Sequence, residues 1–217
     1  YGNKDWARTY ILIQDNNKAC TGGLQALVGN IKGSIVTEDK LDIEKVNVNL
    51  DGSPLYLVTK SDGQYAFANM QLGGSYKVMP KKNINPLNGV STLDLLLIQK
   101  HILGVQPFNS PYKIIAADIN KSNDISSVDL VELRKLILGV YDNFQGNESW
   151  RFVPSAHKFK NTSNPFDGGF TEYHSLTPFN SNVTADFIGI KIGDVNGTVT
   201  PNQLMGGEVR SQDKEVV

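Results

Sequence analysis

Oxygen-bearing side chains alternate along Asp118-Ile-Asn-Lys-Ser-Asn-Asp-Ile-Ser-Ser-Val-Asp129. Asp118, Asn120, Ser122, Asp124, Ser126 and Asp129 occupy positions 1, 3, 5, 7, 9 and 12 of a twelve-residue loop. Calcium is a hard cation that takes about six to eight oxygen ligands, and a loop of this spacing, closing on a carboxylate at the head of a helix, can wrap it. Ile125 at position 8 is the apolar residue that anchors such a loop to a core. Position 6 carries Asn123 where glycine is usual; Asn is among the few residues that tolerate the left-handed backbone needed there. The competing reading is an Asp/Asn/Ser turn ending in a helix N-cap, which favours the same residue types. The first reading predicts a Ca2+ site built from Asp118, Asn120, Ser122, Asp124 and Asp129.

The same design occurs thirty-five residues earlier. Ser91-Thr-Leu-Asp-Leu-Leu-Leu-Ile-Gln-Lys-His-Ile-Leu-Gly-Val105 aligns without gaps on Ser126-Ser-Val-Asp-Leu-Val-Glu-Leu-Arg-Lys-Leu-Ile-Leu-Gly-Val140, with eight of fifteen positions identical. Self-similarity at fixed spacing marks a duplicated supersecondary unit. Each copy reads as a loop, a helix of about three turns, and a glycine stop (Gly104, Gly139). Counting back from Asp94 places Asn83, Asn85, Leu87, Gly89 and Ser91 at positions 1, 3, 5, 7 and 9. Leu87 has no donor, Pro86 stiffens the loop and only Asp94 is charged. Asn83, Asn85, Gly89 and Asp94 therefore form the weaker candidate site, either a low-affinity one or a loop held by its own hydrogen bonds.

Two loop-helix repeats, each closing on Asp and ending Ile-Leu-Gly, resemble a dockerin, the calcium-dependent docking module of bacterial extracellular assemblies. The resemblance implies a pseudo-two-fold pair of antiparallel helices with one calcium per loop. It also implies binding of a cohesin domain through Thr92, Leu93 and Lys100 in one repeat and Ser127, Val128 and Lys135 in the other. Leu93 and Val128 depart from the polar pair that usually sets cohesin choice, which leaves room for a face that packs against a neighbouring domain.

The segments around the repeats are β-rich. Ala7-Arg-Thr-Tyr-Ile-Leu-Ile-Gln-Asp15 reads as a strand in the span 1–24, either the last strand of a preceding immunoglobulin-like repeat or an inter-subunit strand. Between 25 and 82, Leu27 to Val36, Val46 to Leu50, Leu55 to Thr59, Tyr65 to Phe67 and Tyr76 to Met79 alternate or cluster as short strands between Gly/Asp turns. That pattern predicts a small sandwich, and it resembles carboxypeptidase regulatory-like and collagen-adhesin B-type repeats, which are transthyretin-like spacers. Beyond the repeats, Ser149-Trp-Arg-Phe-Val-Pro154 and Asp186-Phe-Ile-Gly-Ile-Lys-Ile-Gly-Asp194 read as strands of a β appendage that covers the dockerin-like helices. The order of these blocks resembles large modular secreted surface proteins of Bacteroidetes-type bacteria that use type nine secretion. Asp194-Val-Asn-Gly197 has the opening of another calcium loop, but the next acid, Glu208, stands at the wrong spacing, so a tight turn is the expectation. The predicted fold class is mainly β with a small α part: a β-sandwich (25–82), a dockerin-like domain with a β appendage (83–197), and a linker or tail (198–217).

Composition narrows the function. A net charge of -1 gives no case for nucleic acid or an anionic membrane as partner, and no apolar run reaches spanning length. Cys20 stands alone; it is either a small buried hydrophobe or the partner of a cysteine upstream. His101, His157 and His174 lie in different segments, and no nucleophile elbow or phosphate loop is present. Trp150, Phe166, Phe170 and Tyr173 read as core aromatics or as sugar-binding ones. The chain begins without Met and reads as a part of something longer. The expected function is a non-catalytic, calcium-stabilised segment of a secreted structural or adhesive surface protein. The alternatives are a docking module for a cohesin-like partner, a filament subunit joined by its N-terminal strand, and an accessory module of a polysaccharide-degrading enzyme. The partner in each case is another domain or chain of an extracellular assembly, a second copy of this chain included.

Overall fold

The computed structural model describes residues 27–202. The strand read at 7–15, Cys20, Gly206-Gly207 and Glu208 lie outside the described residues. Within them the protein is mainly β, with two sheets and three helices.

The first five strands come from the alternating segments. They are β1 (Val28–Val36), β2 (Asn47–Asp51), β3 (Tyr56–Val58), β4 (Gln64–Gln71) and β5 (Tyr76–Lys81). Period-two alternation puts every second side chain on one face, and the inward set is Ile31 and Ile35 on β1, Val48 and Leu50 on β2, Tyr65 and Phe67 on β4, and Tyr76 and Val78 on β5. β1 pairs antiparallel with β4, while β2 lies between β3 and β5.

Neither sheet is finished by these strands. β6 (Trp150–Pro154), β7 (His174–Leu176), β8 (Val183–Thr184) and β9 (Phe187–Lys191) complete both. β8 and then β9 run parallel to β1, at Ile31–Val183 and at Ile35–Phe187; β6 pairs antiparallel with β9. In the other sheet β7 extends β5. At the point where β1 meets the incoming chain, Ser34 donates to Asp186 Oδ1 from its N–H (2.7 Å) and its hydroxyl (3.0 Å), and the Tyr65 hydroxyl donates to the Ala185 carbonyl. Gly33 permits this approach, because a Cβ there would stand 2.1 Å from the Ala185 oxygen.

All five residues of β6 and all five of β9 are buried. Such strands are covered on both faces. Trp150, Phe152 and Phe187 join the cluster of Ile31, Ile43, Val48 and Val78. Val153, Ile190 and Ile192 join a second cluster with Ile98, Ile115, Leu133 and Leu136 of the helices. The appended strands thus pack on the helices, and they also extend a sheet begun by residues 28–36, with β9 beside β1 and β6 at its edge. The boundary read at 82/83 is crossed by this pairing.

The helices are α1 (Thr92–Ile102), α2 (Pro111–Ala117) and α3 (Ser127–Ile137). Ser91 and Ser126 cap α1 and α3 through complete capping boxes with Asp94 and Asp129, an exchange that satisfies two orphan amides at once. Both end alike: Gly104 and Gly139 take φ of 67° and 70°, and Val105 and Val140 donate back to Lys100 and Lys135 carbonyls. α2 was not legible as a helix; Ser110 caps it and Pro111 opens it, a favoured start. None of these helices is long and apolar enough to cross a membrane.

Candidate metal centre and helix face

The loop between α2 and α3 is organised by two wholly buried carboxylates. Asp118 Oδ1 accepts from Ser122 N (2.8 Å), and Oδ2 accepts from Asn123 N (3.1 Å). At the far end, Asp129 Oδ1 accepts from Ile119 N (2.8 Å) and Asn120 N (3.2 Å), and Oδ2 from Ser126 N (2.9 Å). Position 12 thus clasps positions 2 and 3. Asn120 Oδ1 accepts from Ser122 N (3.0 Å), and the Ser122 hydroxyl donates to the Asp124 carbonyl (3.2 Å). Asn123 takes φ of 63°, the left-handed value expected at position 6. Ile119 is buried and Ile125 packs against the helix cluster, so the loop is tied to the core at both apolar positions.

The donors brought together are Asp118, Asn120, Ser122, the Asp124 carbonyl and Asp129. Asp124 itself is exposed, and what it turns toward the Ser122 hydroxyl is its backbone oxygen, the group that position 7 of such loops uses. Among the described residues no three Asp, Glu, His or Cys side chains converge as a metal-binding group. The set is therefore carboxylate, amide, hydroxyl and carbonyl oxygen, which fits a hard cation such as calcium rather than a thiolate- or imidazole-binding metal.

Two residues outside the loop hold it, neither of them recognised from the sequence. Asn147 Nδ2 donates to the Asp118 and Ile119 carbonyls (3.0 and 3.2 Å). Arg151, on β6, places Nη1 3.7 Å from Asp118 Oδ2, while its Nε and Nη2 donate to Glu172 Oε1 (3.0 and 2.8 Å) and its guanidinium lies over the Phe170 ring. Among the described residues Nη1 itself has no hydrogen-bond partner. A lone Arg in an apolar strand carries no sequence signal for this role, because its target lies thirty-three residues earlier.

Burial raises the Asp118 pKa; amide donation from Asn123 and Ser122 opposes the rise, Asp129 adds to it, and Arg151 opposes it. The folded calcium-free state therefore holds this proton more tightly than the unfolded chain does. Without calcium, the Asp118 contribution to stability improves as pH falls toward its raised value. A bound cation requires the carboxylate, so its affinity falls over the same window, by up to about tenfold per pH unit for one displaced proton. Calorimetric titration with calcium between neutral pH and pH 4 checks both signs.

The first loop is arranged otherwise. Asp94 is fully buried and caps α1, but Asn83 Oδ1 accepts from Ser149 N (2.9 Å), and the Gly89 carbonyl accepts from the Thr198 hydroxyl (3.0 Å). Asn85 takes φ of 51°. The weaker set read from the sequence is thus drawn toward residues after position 148.

α1 and α3 pack through Ile98 and Leu133, both fully buried at equivalent positions. Their outer faces also match. Leu93 and Val128 are 50% and 51% exposed, and Leu96 and Val131 are both 46% exposed. Leu103, Leu138, Val105 and Val140 continue the apolar surface. Lys135 pairs with Glu132 (2.9 Å) and lies over Tyr141; Lys100 reaches Gln106 (3.5 Å). His101 breaks the symmetry: it stacks on Phe108 and accepts from Phe108 N (3.0 Å), with burial lowering its pKa. It is a packed neutral imidazole. Trp150 is a core residue, Phe166 and Phe170 pack on the helix cluster, and Tyr173 remains partly exposed with Lys77 over its ring.

Residues 87–138 match the family of dockerin type I domains. The match covers all three helices and the whole Asp118–Asp129 loop, and less than half of the 217-residue chain. Dockerins of this type are calcium-binding docking modules of extracellular proteins. No curated protein matches the chain.

Proposed function

We propose that this chain is a non-catalytic, calcium-dependent docking segment of an extracellular bacterial protein, and that its partner is a cohesin-like domain. The observation that carries this reading is the paired exposure of Leu93 and Val128. A helix pair kept only for internal packing would bury both on the appended strands. Instead the strands cover the opposite side, and the two apolar positions stand open beside Leu96 and Val131. Calcium would be held by Asp118, Asn120, Ser122, the Asp124 carbonyl and Asp129. It would neutralise two buried acids and fix the start of α3, which presents half of the docking face.

The β part supports a second role alongside docking. Its two sheets share one core, in the manner of the transthyretin-like spacers that residues 25–82 resemble, and its strands grip the helices from behind. This suits a segment that bears a docking face on a rigid stem in a modular surface protein of the Bacteroidetes type. An accessory sugar-binding role loses one of its candidates, because Trp150 is 2% exposed.

The test is binding to a panel of immobilised cohesin domains with calcium and with chelator. Calcium-dependent binding is expected with at least one member. Leu93→Glu together with Val128→Glu should weaken it at least a hundredfold, since a charge forced into a desolvated interface centre costs several kcal/mol. Both positions are half exposed, so the thermal midpoint should move by less than about 2 °C. Binding that survives both substitutions would remove this face from the function.

A further inference from the structure

The sequence leaves two fragments without a purpose. One is the poor first loop, whose position 5 is Leu87. The other is Asp194-Val-Asn-Gly197, which opens like a calcium loop and never reaches a closing acid. The fold brings them together. Asp94 Oδ1 accepts from Val195 N (3.0 Å) and Asn196 N (3.3 Å), as Asp129 Oδ1 accepts from Ile119 N and Asn120 N. Asp194 Oδ1 accepts from Thr198 N (3.2 Å) and Oδ2 from Val199 N (2.8 Å), as Asp118 does from Ser122 N and Asn123 N. Asn196 Oδ1 accepts from Thr198 N (3.1 Å), matching Asn120 and Ser122. The Thr198 hydroxyl donates to the Gly89 carbonyl (3.0 Å), matching Ser122 and Asp124. Gly197 and Lys121 both take positive φ, 77° and 60°. Val195 and Ile119 are both buried in the helix cluster. Every position from 1 to 5 has its counterpart in 194–198, and positions 7 to 12 have theirs in 89–94.

The burial of the two acids fits a cation at this place. Asp94 is 0% and Asp194 7% exposed. Among the described residues no Lys, Arg or His lies within 4.0 Å of either carboxylate. Lys191, the buried cation of this region, donates instead to the Pro86 and Ile192 carbonyls (2.6 and 2.9 Å). Asp118, by contrast, has Arg151 beside it. Lys191 acts on both Asp94 and Asp194 through space without touching either, and two buried carboxylates are less costly when a cation joins them directly.

We propose that residues 194–198 and 89–94 together form a second calcium-binding loop, with Asp194, Asn196, Thr198, the Gly89 carbonyl and Asp94 as its oxygen donors. The loop is not continuous in the chain. Asp194, Asn196 and Thr198 take the places that Asn83, Asn85 and Leu87 hold by simple counting, and all three carry oxygen where Leu87 has none. The ion would therefore staple the last described segment of the chain to the start of α1. This inference rests on the calcium reading above, and it assigns to the site residues that lie beyond the 87–138 match.

The test is bound-calcium stoichiometry of the whole chain, by calorimetry and native mass spectrometry, for the wild type and for Asp194→Asn, Asn196→Ala and Asp118→Asn. Two ions are expected in the wild type. Asp194→Asn should lose one and keep the other, Asn196→Ala should weaken the same ion at least tenfold, and Asp118→Asn should lose the complementary ion. Asn196→Ala decides the matter if circular dichroism shows that Asp194→Asn does not fold. A single ion that survives both Asp194→Asn and Asn196→Ala and disappears with Asp118→Asn would overturn the split loop and leave the calcium-dependent docking reading standing. No bound ion at all would overturn both.

Discussion

Chelation of calcium is expected to lower the thermal midpoint by roughly 8–16 °C for each site emptied. A ligand that binds only the folded state adds about 4 kcal/mol when its free concentration is about a thousand times Kd. For a chain of this size each kcal/mol moves the midpoint by about 2–4 °C. The structural reason is the buried acids. Asp118 and Asp129 are both 0% exposed, and in the absence of an ion backbone amides and the Ser122 and Ser126 hydroxyls must carry their charge, with Arg151 at 3.7 Å from Asp118. Scanning calorimetry with millimolar calcium and with excess chelator measures the shift. Magnesium should restore little of it, because magnesium demands near-octahedral geometry and sheds water reluctantly, whereas this donor set is irregular. An unchanged midpoint would mean that the Asp118–Asp129 loop is a capped turn and no more.

The second large effect concerns the core shared by the two sheets. Trp150→Ala should cost about 3–5 kcal/mol, the range for deleting a fully buried aromatic. Trp150 is 2% exposed among residues of β1, β2 and β5. Lys82 lies with Nζ 5.1 Å from its ring centroid and donates to the Glu44 and Pro201 carbonyls (2.7 and 3.3 Å). Burial lowers the Lys82 pKa to about 8, so removing the ring leaves a buried cation beside a cavity. Because the strand that carries Trp150 also backs the helices through Val153, denaturant unfolding of the variant should shift as one transition for both parts. Two separated transitions, with only the early one moved, would mean that the sheets and the helices unfold independently.

What could be read from the chain was what is local. Val46, Val48 and Leu50 alternate and are all buried. The Asp118–Asp129 loop was legible because its donors, its anchor and its closing acid follow one another without interruption. The strand within Asp186 to Asp194 was legible as well, and its Phe187 and Ile190 lie in separate cores. What escaped was long-range. Counting back from Asp94 finds Asn83 and Asn85, because counting assumes that a loop is continuous; the matching half stands a hundred residues later, in Asp194 and Asn196. The signal was present as an unexplained likeness, Asp-Val-Asn at 194–196 against Asp-Ile-Asn at 118–120, but spacing alone does not show which ends meet. Arg151, Asn147 and Ser149 escaped for the same reason: each acts on a loop distant in sequence. α2 escaped because seven residues are too few for a periodic signal, and only its Ser-Pro start gave a hint.

The parallel run of β1 beside β8 and β9 also bears on how this molecule takes load. A pull that enters ahead of Val28 and leaves beyond Lys191 draws two parallel neighbours past each other along their length. Their hydrogen bonds, with the Ser34–Asp186 and Tyr65–Ala185 contacts, are then strained together and not peeled one by one. A tether whose ends are wired in this way resists tension as a lap joint does.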